Sequence, residues 1–277
     1  MRIRVGRVLI ALVALSFLLP YPADADRPSI GITLNAAIGT HVESSGTAQI
    51  PLAPVPIFSL QIPVKRFSIR AEMLPPFGPI AFHDGPLNLH STKLGYASGA
   101  IFYAIPGTGT RFGIGATLIN QQTGYGQSST IPILAFPSGS PAGTLTLDEV
   151  QTNRSRVAGA RFALVQQVTR SPKGSIDFAI AVSPGMHATI YKDIVYTNSL
   201  SIGSYAHRDR FGISGTAPET ASLVDMQIES RHRFNRLTFT YGLRYINYAA
   251  GFDRGGGLAD RNRLVLPFAG LEAPVGR

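Results

Sequence analysis

The stretch Ser175-Ile176-Asp177-Phe178-Ala179-Ile180-Ala181-Val182-Ser183-Pro184-Gly185-Met186-His187-Ala188-Thr189 decides the fold. Its even positions hold Ile176, Phe178, Ile180, Val182, Pro184, Met186 and Ala188, while its odd positions are small or polar. A strand sends successive side chains to opposite faces, so this stretch has one apolar face and one small or polar face. Comparable stretches recur along the chain, with no helical period among them. Repeated alternation of this kind is the signature of an antiparallel transmembrane β-barrel, an all-β fold.

Working outward, ten such segments can be placed: 29–42, 55–62, 66–74, 94–105, 111–122, 155–169, 175–190, 223–233, 236–249 and 263–275. The faces of 94–105 stay unassigned, because its residues are mixed. Four connections are short, at Val64, Gly107, Pro172 and Phe234. The others are longer, above all Pro75–Lys93, Thr123–Arg154 and Tyr191–Ser222. Short and long connections alternate when the count is ten, as in barrels with tight turns inside and long loops outside. Eight or twelve strands stay open, since 55–74 could be one bent strand and 131–147 could hold others. A soluble sandwich also alternates, but its second face would be charged for water. Here that face is rich in Gly, Ala, Ser and Thr, as a narrow lumen requires.

The first residues carry Arg2, Arg4 and Arg7, an apolar run from Val8 to Leu19, and Ala23-Asp24-Ala25. This is the layout of a secretory signal peptide occupying 1–25, leaving 26–277 as the barrel. The apolar run is shorter than the roughly 20 residues of a spanning helix. Removing three arginines and Asp24 takes the net charge from +9 to +7 (9 − 3 + 1). A basic exported barrel suits outer-membrane lipid and lipopolysaccharide as neighbours. The chain has no cysteine, hence no disulfide or thiol chemistry, and no Lys/Arg run that would suggest nucleic acid. It has no tryptophan, so Tyr103, Tyr191, Tyr241, Tyr245 and Tyr248 are the candidates for an interfacial girdle.

The polar faces carry Arg70, Glu72, Arg161, Asp177, His187, Asp225, Glu229, Arg231 and Arg244, which are expected to form a lumen charge network. A two-residue turn at Phe234-Asn235 would set Asp225 opposite Arg244, within reach of an ion pair. Such a network either stiffens a filled barrel or sets the selectivity of a small pore.

This pattern over the whole mature chain resembles bacterial outer-membrane β-barrel proteins, which implies a cell outer membrane location after export. The loops hold His83-Asp84 and His207-Arg208-Asp209. Omptin outer-membrane proteases, also ten-stranded, use an adjacent Asp pair and an Asp-x-His order. This chain has His-x-Asp and no adjacent Asp pair, so no catalytic residue follows from that comparison. No G-x-S-x-G or H-E-x-x-H occurs. The expectation is a monomeric, structural or surface-interaction barrel with long extracellular loops, without cofactor or metal, and not an enzyme. A small porin-like channel is the alternative, and a membrane-embedded hydrolase a remote one.

Overall fold

The computed structural model describes residues 28–43, 46–83, 89–135, 137–171, 174–234, 237–250 and 260–275. The expected signal peptide lies outside these residues. Ten strands follow one another: β1 (Ser29–Glu43), β2 (Gly46–Val64), β3 (Phe67–His83), β4 (Leu89–Ala104), β5 (Thr110–Leu134), β6 (Pro141–Ser171), β7 (Gly174–Ile202), β8 (Tyr205–Phe234), β9 (Leu237–Ala250) and β10 (Asp260–Pro274). Each pairs antiparallel with its sequence neighbour, and β1 with β10 closes the barrel. Each expected segment falls on one of these strands. The bent-strand alternative fails at Lys65, whose φ of 55° turns the chain sharply between β2 and β3.

The outward faces are apolar and exposed: Ile30, Ile32 and Leu34 on β1, Ile101 on β4, Ile114 and Leu118 on β5, Leu243 on β9, Val265 and Leu271 on β10. In water this much exposed apolar area would drive association; against hydrocarbon it costs nothing. The fold is therefore a transmembrane barrel. Near the short-turn end the band ends in aromatic rings. Phe67 lies against Tyr103 at 5.3 Å, Phe239 against Tyr241 at 5.7 Å, and Phe234 is exposed beside them. Aromatic rings at that depth, with the amphipathic Tyr103 and Tyr241 among them, mark the membrane interface.

The expected long loops are mostly strand. The Thr123–Arg154 stretch is the continuation of β5 and β6, paired in unbroken register from Thr110↔Gln166 to Ile133↔Gly143. Tyr191–Ser222 is likewise β7 running into β8, paired up to Ile202↔Tyr205. The stretch Pro75–Lys93 contributes to β3 and β4 before and after residues 84–88. A membrane crossing needs about 9–11 residues. β6 has 31, β7 29 and β8 30, so these strands project well beyond the bilayer. Partners fall away on either side: β4 pairs with β5 only as far as Gly126, and β9 with β8 only as far as Ala221. What remains is a four-stranded sheet, β5-β6-β7-β8, rising from one side of the rim.

One strand changes phase on the way. The β7–β8 pairing passes from Ser183↔Leu223 to Met186↔Ala221, a bulge that gives β7 one residue more than β8. Gly185 there has φ +55°, a conformation that costs other residues about 1–2 kcal/mol. Below the bulge odd residues such as Asp177 and Ser183 point inward; above it Met186 and Ala188 do. His187 consequently faces outward and is exposed, which corrects its expected place in the lumen.

Candidate functional site

The lumen is built in three storeys. Nearest the short turns, alternating positions of β3, β5, β7, β8 and β10 direct Arg70, Arg111, Asp177, Glu229, Arg231 and Glu272 inward. Arg111 Nη2 donates to Asp177 Oδ2 at 3.0 Å, and Arg231 Nη2 to Glu229 Oε2 at 3.2 Å. Glu272 Oε1 lies 3.7 Å from Arg231 Nη2. The Arg70 guanidinium rests over the Phe102 ring at 5.6 Å, with Nε and Nη2 buried and without hydrogen-bond partners. A cavity of about 110 Å³ opens between Arg70, Asp177, Glu229, Arg231 and Glu272 of this storey and Glu72, Arg161, Asp225 and Arg244 of the next.

The next storey is a denser cluster. Arg244 Nε and Nη2 donate to Asp225 Oδ1 and Oδ2 at 2.8 and 2.7 Å, a bidentate pair. Arg161 Nη2 donates to the same Asp225 Oδ2 at 2.8 Å. Arg244 Nη2 also reaches across the lumen from β9 to Glu72 on β3, at 2.8 Å. The Tyr96 hydroxyl accepts from Arg161 Nη1 at 3.1 Å and Arg244 Nη2 at 3.4 Å. Two guanidinium groups and two carboxylates thus neutralise one another, as removal from bulk water demands. The register is two residues from the expected one: Asp225 stands opposite Ile246, and Arg244 opposite Gln227. A slip of two keeps both on the inner face, and the diagonal neighbour is within reach of a long side chain. The expected ion pair forms across that diagonal.

Above the cluster lies an apolar layer, with polar Gln121, Thr123, Gln151, Ser155 and Asn262 buried at or beyond its height. Leu74, Ile119, Val157, Met186, Ala188, Leu223, Tyr248, Ala250, Leu264 and Leu266 pack together, with Met186, Ala188 and Ala250 at 0% exposure. A hydrogen bond from Asn262 on β10 to Gln121 on β5, at 3.1 Å, spans this level from wall to wall. Side chains from opposite walls therefore meet at both heights.

Of the lumen residues expected from the sequence, Arg70, Glu72, Arg161, Asp177, Asp225, Glu229, Arg231 and Arg244 face inward, and His187 does not. Tyr96, Arg111 and Glu272 belong to the network and were missed. Arg111 alternates with Gly113, Gly115 and Thr117, a signal that could have found it. The apolar storey was missed because Leu264-Val265-Leu266-Pro267-Phe268 is apolar on both faces, which hides alternation.

Beyond the rim the sheet extension has two unlike faces. Continuous with the lumen, its concave face carries Ile131 on β5, Leu147 on β6, Ile194, Tyr196 and Ile202 on β7, and Tyr205, Phe211 and Ile213 on β8. Tyr196 and Phe211 stack at 4.9 Å, and Ile131, Ile202, Tyr205, Phe211 and Ile213 stay exposed. Continuous with the outer wall, the other face holds Ser128, Thr130, Thr146, Asp148, Thr197, Ser199, Arg208 and Arg210. Ser128 Oγ donates to Asp148 Oδ1 at 2.5 Å across β5 and β6. His207 and Asp209 lie on the concave face of β8, with Nε2 and Oδ2 3.0 Å apart and both side chains largely exposed. Asp84 lies outside the described residues, and His83 ends β3. Among the described residues no group of three or more His, Cys, Asp or Glu is arranged to hold a metal ion.

No protein-family model and no curated protein matches this chain. Solved structures with a similar course are outer-membrane barrels. The outer membrane protease OmpT from Escherichia coli is 9% identical, covering 92% of this chain and 98% of that one, with a TM-score of 0.49. A FadL homologue from Pseudomonas aeruginosa is 10% identical over 90% of each chain, with a TM-score of 0.34. The toluene transporter TodX from Pseudomonas putida is 10% identical over 96% of this chain and 94% of that one, with a TM-score of 0.32. At these identities the likeness is one of fold and assigns no residue a role. It does correct one expectation: a protease is among the proteins that share this architecture, so the chain is not set apart from enzymes by its fold.

Proposed function

We propose that the chain is an outer-membrane surface-interaction protein, a barrel with a filled lumen that holds the β5–β8 sheet above the membrane as its binding element. The observation that carries this reading is the exposed apolar concave face of that sheet. Tyr205, Phe211 and Ile213 are 57%, 50% and 59% exposed, in a region too far along the strands to be covered by lipid. Contiguous apolar area of this kind on a water-facing surface is characteristic of interaction sites. Aromatic side chains on rigid strands also supply contact area at low conformational cost. The lumen network serves as the stiffener of this scaffold. Its wall-to-wall contacts and the apolar storey above weigh against a diffusion channel, since conduction needs a continuous wet path.

The chain reaches that membrane, on this reading, through the signal peptide at 1–25 and stands there as a monomer. Arg154, Arg156 and Arg263, exposed at the outward rim where the apolar band ends, are placed to meet the anionic headgroups of lipopolysaccharide. The test is a photo-crosslinking residue at position 211, compared in living cells with one at position 201 on the polar face. Adducts at 211 and none at 201 are expected. Equal yields at both positions, or none at 211, would overturn the proposal.

A further inference from the structure

The extension has free edges as well as a free face. The pairing of β8 with β9 ends at Ala221↔Ala250, so Tyr205–Thr220 has β7 on one side and no strand on the other among the described residues. Half the backbone N–H and C=O groups of this stretch point away from β7. Such a row is a template for another strand, and proteins leave one open only where it is protected or used. Side-chain chemistry along the row differs on its two faces. Toward the concave side stand Tyr205, Phe211 and Ile213, all exposed, with His207 and Asp209 between the first two. Toward the polar side stand Arg208 and Arg210, opposite Ser199 and Thr197 of β7, and neither meets a carboxylate among the described residues. The nearby acid of β8, Asp209, is on the concave face and lies against His207.

An added strand would alternate in step with this row. Its residues on one side would cover Tyr205, Phe211 and Ile213, and those on the other would face Arg208 and Arg210. We infer that the β8 edge takes up an extended segment of a partner protein whose side chains alternate between apolar and acidic. The segment bonds to the backbone of Tyr205–Thr220 and sets its acids against Arg208 and Arg210. The inference rests on the surface-interaction reading and names its partner's chemistry. Cross-strand pairs disfavour a second copy in the central register. An antiparallel pairing of two β8 edges centred on Asp209 would set Arg208 directly against Arg210 of the other copy, and like charges so placed repel. Backbone bonding supplies affinity in this mode, and alternate side chains supply specificity.

The experiment uses the full-length barrel in detergent and a labelled peptide of alternating valine and glutamate, about eight residues long. Saturable binding is expected. It is lost when the amides facing the edge are N-methylated, and falls about tenfold when lysine replaces glutamate. The double variant Arg208→Glu, Arg210→Glu, checked for folding by its gel shift on boiling, should reverse that preference. Several results would overturn the inference: no binding, undiminished binding of the N-methylated peptide, a dimer by light scattering, or binding only after residues 253–257 are deleted. Crosslinks from position 211 without binding at the edge would sink this inference alone. Loss of both would sink the surface-interaction reading with it.

Discussion

The wall of the barrel and the sheet above it are made from the same strands, yet their faces are exchanged. In the wall of β5 Ile114 points outward and Thr117 inward. In the extension of β8 Ile213 is on the lumen side and Arg210 on the outside. Lipid makes an apolar exterior free of cost in one region, and water makes a polar exterior necessary in the other. The exchange places the membrane boundary where the outward residues of β6 pass from Phe162 to Arg156 and Arg154. Electrostatics differ in the same way. Asp225 and Arg244 form a buried ion pair, whereas His207 and Asp209 lie in the open.

Equal changes made in the two regions test this contrast. The largest effect is expected from Asp225→Ala, which strands Arg161 and Arg244 without their shared acceptor. Removing one member of a buried pair costs about 3–5 kcal/mol, read as a lower urea midpoint in vesicle-refolded protein. A cost under about 1 kcal/mol would mean that water reaches the cluster. Next comes Ile114→Arg, on the lipid face at 66% exposure, with an expected loss of about 2–4 kcal/mol. Gly185→Ala should cost about 1–2 kcal/mol, because only the bulge needs a positive φ there.

The smallest effects belong to the extension. Asp209→Ala breaks an exposed pair and should change stability by about 0.2–1 kcal/mol. Ile213→Arg, the counterpart of Ile114→Arg, should stay within about 0.5 kcal/mol. If Ile213→Arg proves as damaging as Ile114→Arg, the extension is buried against something and the contrast between the regions fails.

Strand number and closure were legible in the sequence because most wall segments alternate, the mixed 94–105 and the doubly apolar 264–268 apart, and Val64, Gly107, Pro172 and Phe234 mark short turns between them. The lumen charges were legible for the same reason: a period of two places Arg161, Asp225 and Arg244 on the small-residue face. His187 was not, because a bulge adds one residue and inverts every later assignment on that strand, and Pro184-Gly185 gives no sign of it in alternation alone. The register error at Asp225 has a related origin. Sequence marks the turn, but only geometry shows that it begins after Phe234. The extension was hidden by its composition. Ser, Thr, Pro and Gly between 123 and 154 signal loops locally, while the long-range pairing of β6 with β7 that makes them strand leaves no local trace.

Closure has a consequence for assembly. Neighbours in sequence account for every pairing of the barrel except that of β1 with β10, which joins Ser29 to Pro274. Hairpins such as β8–β9 can zip from their own turns, with little chain entropy to overcome. The seam must gather nearly the whole polypeptide, so it is the step that local contacts cannot nucleate. Until it forms, β1 and β10 are two open edges in one molecule, and the machinery or membrane that receives the chain has to keep them from other partners.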